Sequence, residues 1–253
     1  MVRWSPPLLA TLSLTAAGPA LAGETACWFE NGAVVAPAAV ADMTGDFVID
    51  LSAPQTLLHD TKAQTGGYAG TRLTLPVRVA GERVEAVPLE VRDLDYRSAG
   101  FIAPIIGVIG ADILDRYVVV IDFAPCRLRL EARGPAVGRR PGAMAVTVVG
   151  GIPTVRATAS DGFRSLSGAF ALDTASNGAV RARGAPDGPR QAPAGVLAGL
   201  TLNGRLYQRS PAVQAGDLPP GVAGAVGVAV LSAYQLRLDM NSGQLWLTPR
   251  PAP

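Results

Sequence analysis

A gap-free internal repeat constrains this chain more than any single motif does. Gly107–Asp122 aligns on Gly224–Asp239 at an offset of 117, pairing Gly107 with Gly224, Gly110 with Gly227, Leu114 with Leu231, Tyr117 with Tyr234 and Asp122 with Asp239. The match continues through Leu128 with Leu245 and Leu130 with Leu247. A second pair of blocks lies upstream, Phe47-Val-Ile-Asp50-Leu-Ser-Ala and Phe170-Ala-Leu-Asp173-Thr-Ala-Ser, at an offset of 123. Two blocks in the same order with slightly different spacing are what a duplicated unit with loop insertions produces. The chain should therefore divide into two similar lobes, residues 23–133 and 143–250, joined by a Pro/Gly/Arg connector at 134–142 and followed by a short tail at 251–253.

Inside each copy the local pattern is β. Strand-like runs cover 72–79, 84–91, 117–122 and 127–130 in the first copy, and 154–159, 170–173, 235–239 and 244–248 in the second, with Asn241-Ser-Gly243 as a hairpin signal. Only 111–116 and 228–233 read as helical, each one or two turns long. Gly and Pro together, 29 and 21 residues, suit a turn-rich chain, and the glycines show no period of three.

The leader reads separately from the fold. Arg3 precedes an apolar, uncharged run from Leu8 to Leu21, and Ala20-Leu21-Ala22 has the small-x-small pattern of a signal peptidase site. Residues 1–22 are thus expected to be a signal peptide and the protein periplasmic or secreted. No later stretch reaches 18 apolar residues, so no membrane span is expected. In an exported chain the two cysteines, Cys27 and Cys126, favour a disulfide. The competing reading, lipidation of Cys27, fits poorly because Glu24-Thr25-Ala26 precedes it and the apolar run has already ended.

Several functions are disfavoured by composition. A net charge of +2, from 22 basic and 20 acidic residues, gives no nucleic-acid footprint. His59 is the sole histidine, so a zinc site with two imidazoles is excluded and no metal is expected. A Ser-His-Asp arrangement would have to use His59, yet no Gly-x-Ser-x-Gly elbow exists to receive it, and His59 beside Asp60 reads as a surface residue. The glycines of 221–227 lack the preceding parallel strand of a dinucleotide loop, so no cofactor is expected either.

What remains is the pair Asp50 and Asp173. Each follows an apolar strand that begins with Phe and is followed by small residues, where a buried strand breaks into a tight loop. A pseudo-two-fold axis would bring the two carboxyl groups together, and two such groups in contact share a proton, one holding a water as base while the other serves as acid. Asp122 and Asp239 are also matched by the repeat, but they precede the closing hairpins, where an aspartate organises a turn; repetition alone argues structure, not catalysis.

At these residues the sequence resembles the pepsin/retropepsin-like aspartic protease superfamily, in its two-lobed exported bacterial form. That family has, in each lobe, an apolar strand, then Asp-Thr/Ser-Gly-Ala/Ser, and some fifty to sixty residues later an apolar pair before Gly, a short helix and a closing hairpin. Phe47–Ala53 and Phe170–Ser176 match the first block, and Val108-Ile-Gly110 and Ala225-Val-Gly227 the second. The resemblance implies an all-β fold of two pseudo-symmetric β-barrel lobes with short helices. It further implies an Asp50/Asp173 dyad that hydrolyses peptide or protein substrates in an interlobe cleft, without metal or cofactor, in a monomer holding both lobes. Gly110 and Gly227 would be the structural glycines, and Thr65-Gly-Gly-Tyr-Ala-Gly70 resembles the family's Gly-rich flap, with Gly66, Gly67 and Gly70 as a mobile tip and Tyr68 as its substrate contact. The loops depart from the pattern at Leu51, Ser52 and Ala175, where the family has Thr, Gly and Gly, and only Thr174 keeps the hydroxyl that braces one loop against the other. Those departures define the alternative: a protein of the same fold that binds peptide or a cell-envelope partner without cleaving it.

Overall fold

The computed structural model describes residues 23–30, 32–98, 100–135, 138–176, 178, 180–183, 195–215 and 218–250; the expected signal peptide and the tail lie outside the described residues. The first copy comprises β1 (Gly23–Ala26), β2 (Trp28–Glu30), β3 (Ala33–Val40), β4 (Met43–Ile49), β5 (Leu57–His59), α1 (Asp60–Thr65), β6 (Arg72–Val79), β7 (Glu82–Arg92), α2 (Asp95–Ser98), β8 (Ile105–Ile109), α3 (Ala111–Leu114), β9 (Tyr117–Phe123) and β10 (Cys126–Ala132). The second comprises β11 (Met144–Val149), β12 (Ile152–Ser160), β13 (Ser165–Leu172), β14 (Val180–Arg183), β15 (Gly195–Leu202), β16 (Arg205–Ala215), β17 (Val222–Val226), α4 (Val228–Leu231), β18 (Tyr234–Asp239) and β19 (Gln244–Pro249).

The fold is all-β, as expected, and its two barrels repeat strand for strand. In the first lobe β3-β4-β8-β5-β7-β6 closes on itself through a β3–β6 pairing, and in the second β12-β13-β17-β14-β16-β15 closes through β12–β15. Each barrel has the same two parallel pairs: β4 with β8 and β5 with β7 in the first, β13 with β17 and β14 with β16 in the second. Even the irregularities coincide, with a register shift at Asp46/Phe47 and another at Ala169/Phe170. Between the barrels, β1-β10-β9 of one copy and β18-β19-β11 of the other form a continuous run through the β9–β18 pairing.

Both barrels fill with the repeat-matched apolar residues, Phe47 and Phe170 being wholly buried. One hydrophobic cluster spans the two lobes, from Val34, Phe47 and Leu58 to Phe170, Leu172 and Leu236. A Cβ at Gly107 would lie 2.3 Å from the Leu57 carbonyl oxygen, and one at Gly224 would lie 2.6 Å from that of Arg181. The matched glycines are thus where neighbouring backbones close over a phenylalanine ring. Cys27 and Cys126 form a disulfide, which ties the segment after β1 to the start of β10. Among the described residues no helix is long and apolar enough to cross a membrane.

Candidate active site

The repeat delivers the two aspartates by the same backbone device. Asp50 follows β4 and donates its N–H to the Ile109 carbonyl at 3.0 Å, and Asp173 follows β13 and donates to the Val226 carbonyl at 2.9 Å. Each loop then turns back under a short helix, where Ala111 N–H meets the Ala53 carbonyl at 2.7 Å and Val228 N–H meets the Ser176 carbonyl at 3.2 Å. That approach requires glycine one residue earlier. A Cβ on Gly110 would come within 2.6 Å of Gln55 backbone atoms, and one on Gly227 within 2.1 Å of the Gly178 carbonyl oxygen. These contacts place the expected structural glycines against the loops that carry the aspartates.

Both carboxylates are 1% exposed and line one cleft of about 300 Å3, together with Val48, Tyr96, Phe101 and Ser176. Their surroundings differ. Asp50 Oδ1 accepts from the Ser52 N–H at 2.8 Å and the Ser52 hydroxyl at 2.6 Å, while Oδ2 accepts from Arg97 at 2.8 Å. Asp173 Oδ1 accepts from the Ala175 N–H at 3.1 Å, and Oδ2 from Arg181 at 3.0 Å. The Ser52 hydroxyl therefore adds a donor to the first carboxylate, and the matching Ala175 adds none to the second. Burial, then the Asp50 charge, push the Asp173 carboxyl above the ordinary aspartate range, against the pull of Arg181. Burial works to lower the Arg97 pKa, but Asp50 and Tyr96 more than offset it, so the guanidinium is held above its ordinary range.

Among the described residues, the Thr174 hydroxyl braces the two loops. It donates to the Ile49 carbonyl at 2.6 Å and accepts the Leu51 N–H at 3.0 Å, across the lobe boundary. Leu51, wholly buried at the matching position, has no hydroxyl to return either bond. The Thr174 carbonyl also accepts the Val34 N–H at 2.9 Å. Strand register places Pro153 where the second lobe would need Val34's counterpart, and proline has no N–H to offer.

The flap expectation requires correction. Gly66, Gly67 and Tyr68 end helix α1 instead of forming a tip over the cleft: their N–H groups satisfy the carbonyls of Lys62, Gln64 and Ala63 at 3.0, 2.9 and 2.9 Å. Gly67 supplies the left-handed φ of 81° that such a helix stop favours. Tyr68 packs against the hydrophobic core, and neither it nor Gly70 is among the residues lining the Asp50/Asp173 cleft. Six residues of helix with an acidic first turn were too short to show a helical period in the sequence.

His59, read as a surface residue, is 7% exposed, with Nδ1 2.9 Å from Asp60 Oδ1 and Nε2 3.1 Å from Asp95 Oδ1. His59, Asp93 and Asp95 offer ligand atoms within 4.8 Å of one another, the group among the described residues with metal-ligating spacing. The contact of Nε2 with Asp95, and the Asp95 N–H donated to Asp93 Oδ1 at 2.8 Å, account for that proximity without an ion. Asp122 and Asp239 act as turn organisers, accepting N–H bonds from Ala124 at 3.4 Å and Ser242 at 3.1 Å. Arg97 and Arg181 are the site residues that sequence reasoning missed. They lie 47 and 8 residues from the aspartates they hold, and they are not related by the repeat: register aligns Arg181 on β14 with Leu57 on β5.

No family model matches the sequence, and no curated protein matches it. Among solved structures, the chain is similar to an aspartic proteinase from Irpex lacteus, with a TM-score of 0.57 over 91% of this chain and 98% of that one, at 11% sequence identity. At that identity the likeness concerns the fold, and the fold it identifies is the two-lobed one of aspartic proteinases.

Proposed function

We propose that the protein is an exported aspartic-type endopeptidase that hydrolyses extended peptides in the cleft between its lobes, 23–133 and 143–250. The observation that carries this reading is the pair of buried, repeat-related carboxylates on one cleft with unequal donor sets. Asp50, held by an amide, a hydroxyl and a guanidinium, is the member suited to take a proton from water. Asp173, raised by burial and by Asp50, is the member suited to carry a proton to the substrate carbonyl oxygen. Water adds to the carbonyl carbon to give a gem-diol. Its C–N bond then breaks, the amine leaving with the proton that Asp50 had taken while one diol hydroxyl returns a proton to Asp173, which restores the starting dyad and leaves a carboxylic acid. Gly66, Gly67, Tyr68 and Gly70 have no part in this scheme. Hydrolysis of a denatured protein substrate should be favoured from about pH 3 to 6, be blocked by a statine-type inhibitor, and fall by about 10²–10⁴-fold in Asp50→Asn and in Asp173→Asn. Activity indifferent to Asp173→Asn would contradict the mechanism.

A second reading has its own observation. Each carboxylate already has a guanidinium on its Oδ2, and the loops lack the hydroxyl of a second brace at Leu51. On that reading the cleft binds a peptide or a cell-envelope partner without turnover. Statine-type inhibitor binding with no hydrolysis, even after Leu51→Thr, Ser52→Gly and Ala175→Gly are combined, would select it.

A further inference from the structure

His59 has no role in the scheme above, yet its contacts lead directly to the cleft. The ring sits at the junction of β5 and α1, with a carboxylate oxygen at hydrogen-bonding distance from each nitrogen. Both contacts are hydrogen bonds only if both nitrogens carry a proton. Neutral imidazole has one N–H, so one nitrogen would then present a lone pair to a carboxylate oxygen. Asp95, the acceptor from Nε2, opens α2, and Arg97 leaves the same four-residue turn to reach Asp50 Oδ2 at 2.8 Å. So short an element has little internal stability. Its anchors are the buried Leu94 beside it, the Asp95 N–H donated to Asp93 Oδ1 at 2.8 Å, and the His59 contact.

We propose that His59 is a positioning residue: as imidazolium it holds Asp95, and through α2 it seats Arg97 on Asp50. Loss of a ring proton removes one of the two donors and slackens that seat. The charged groups around the ring are Asp60 and Lys62 on α1, Asp93 and Asp95 at the start of α2, and Arg92, its register partner on β7, which Glu90 engages. The consequence for hydrolysis rests on the reading of Asp50 as the base of the dyad. The mechanical link from His59 to Arg97 does not.

Because His59 is the sole histidine, the ring ¹⁵N signals of the untagged, labelled protein report this junction alone. The Arg97 side-chain Nε–H signal, assigned by its loss in Arg97→Lys, should change over the same pH interval as the ring. In Asp95→Asn the two should separate. The Asp95 side chain is 83% exposed, so this substitution leaves the core untouched. An Arg97 signal that ignores the ring's protonation, or that follows it equally well in Asp95→Asn, would overturn the proposal. The functional arm compares pH profiles of hydrolysis. Asp95→Asn should be about tenfold slower than wild type while the ring holds both protons, as the loss of one hydrogen bond to a charged group implies, and the gap should close over the interval in which the ring signals change. Parallel profiles would also count against the proposal. Absence of hydrolysis in every protein would defeat the peptidase reading while the NMR arm still decides the role of His59.

Discussion

The loop at Asp50 and the loop at Asp173 share their backbone and differ in their side chains. Both aspartates donate their N–H to the strand inserted beside them, and both loops meet a glycine that opens a short helix. Beyond that, the first loop has Leu51 and Ser52 where the second has Thr174 and Ala175. One guanidinium arrives from α2 and the other from β14, and Asp112, which accepts the Thr56 hydroxyl at 2.8 Å, aligns with Ala229. Duplication has preserved what every barrel of this shape needs, namely close backbone approach and paired amides. The contacts that set charge and proton affinity have diverged, so the two carboxyl groups sit in different surroundings.

The largest effects should be those the loops share. Gly110→Ala and Gly227→Ala each drive a Cβ into backbone, so both should cost about 3 kcal/mol or more in denaturant unfolding, in the range of overpacking and backbone strain. A large cost at one position and none at the other would break the equivalence. Next come the ion pairs. Arg97→Leu and Arg181→Leu each strip a guanidinium from a buried carboxylate, a loss of about 3 kcal/mol at neutral pH, the low end for buried pairs because each arginine retains some exposure. The loss should shrink towards pH 4 as the stranded carboxyl takes up a proton, which a urea titration at both pH values would measure.

A smaller difference should separate the braces. Thr174→Val leaves the Ile49 carbonyl and Leu51 N–H without their partner and should cost about 2 kcal/mol, whereas Leu51→Thr exchanges buried apolar area for a hydroxyl and should cost about 1 kcal/mol. If Leu51→Thr stabilised the protein, the second brace would be only a side chain away from completion.

Much of the fold was legible because repetition and alternation are properties of sequence. The blocks at 107–122 and 224–239 became β8-α3-β9 and β17-α4-β18, and the Phe-led blocks became the strands ending at the aspartates. What was not legible depends on tertiary approach. Arg97 and Arg181 sit at positions with no repeat partner in kind, and a four-residue helix or a four-residue strand carries no period to read. The glycines of 66–70 were misassigned for a related reason: the sequence shows where the backbone is freed from a Cβ but not whether a turn or a helix stop uses that freedom. His59 reads as a surface residue because no Gly-x-Ser-x-Gly elbow exists to receive it, whereas the folded ring is 7% exposed and faces carboxylates of Asp60 and Asp95 that lie 1 and 36 residues away.

The central claim is that Asp50 and Asp173 act electrostatically as a pair, with Asp173 as the proton carrier. A ¹³C-carboxyl NMR titration of aspartate-labelled protein tests it most directly, with signals assigned through Asp50→Asn and Asp173→Asn. The folded Asp173 carboxyl is raised above the ordinary aspartate value of 3.8, so it keeps its proton where the unfolded chain has lost its own. Its contribution to stability therefore falls as pH rises from about 4 through its folded value, and is constant above. The expected result is an Asp173 signal that titrates above the ordinary aspartate range and moves back down in Asp50→Asn. An Asp173 signal at or below that range, unmoved by Asp50→Asn, would contradict the account.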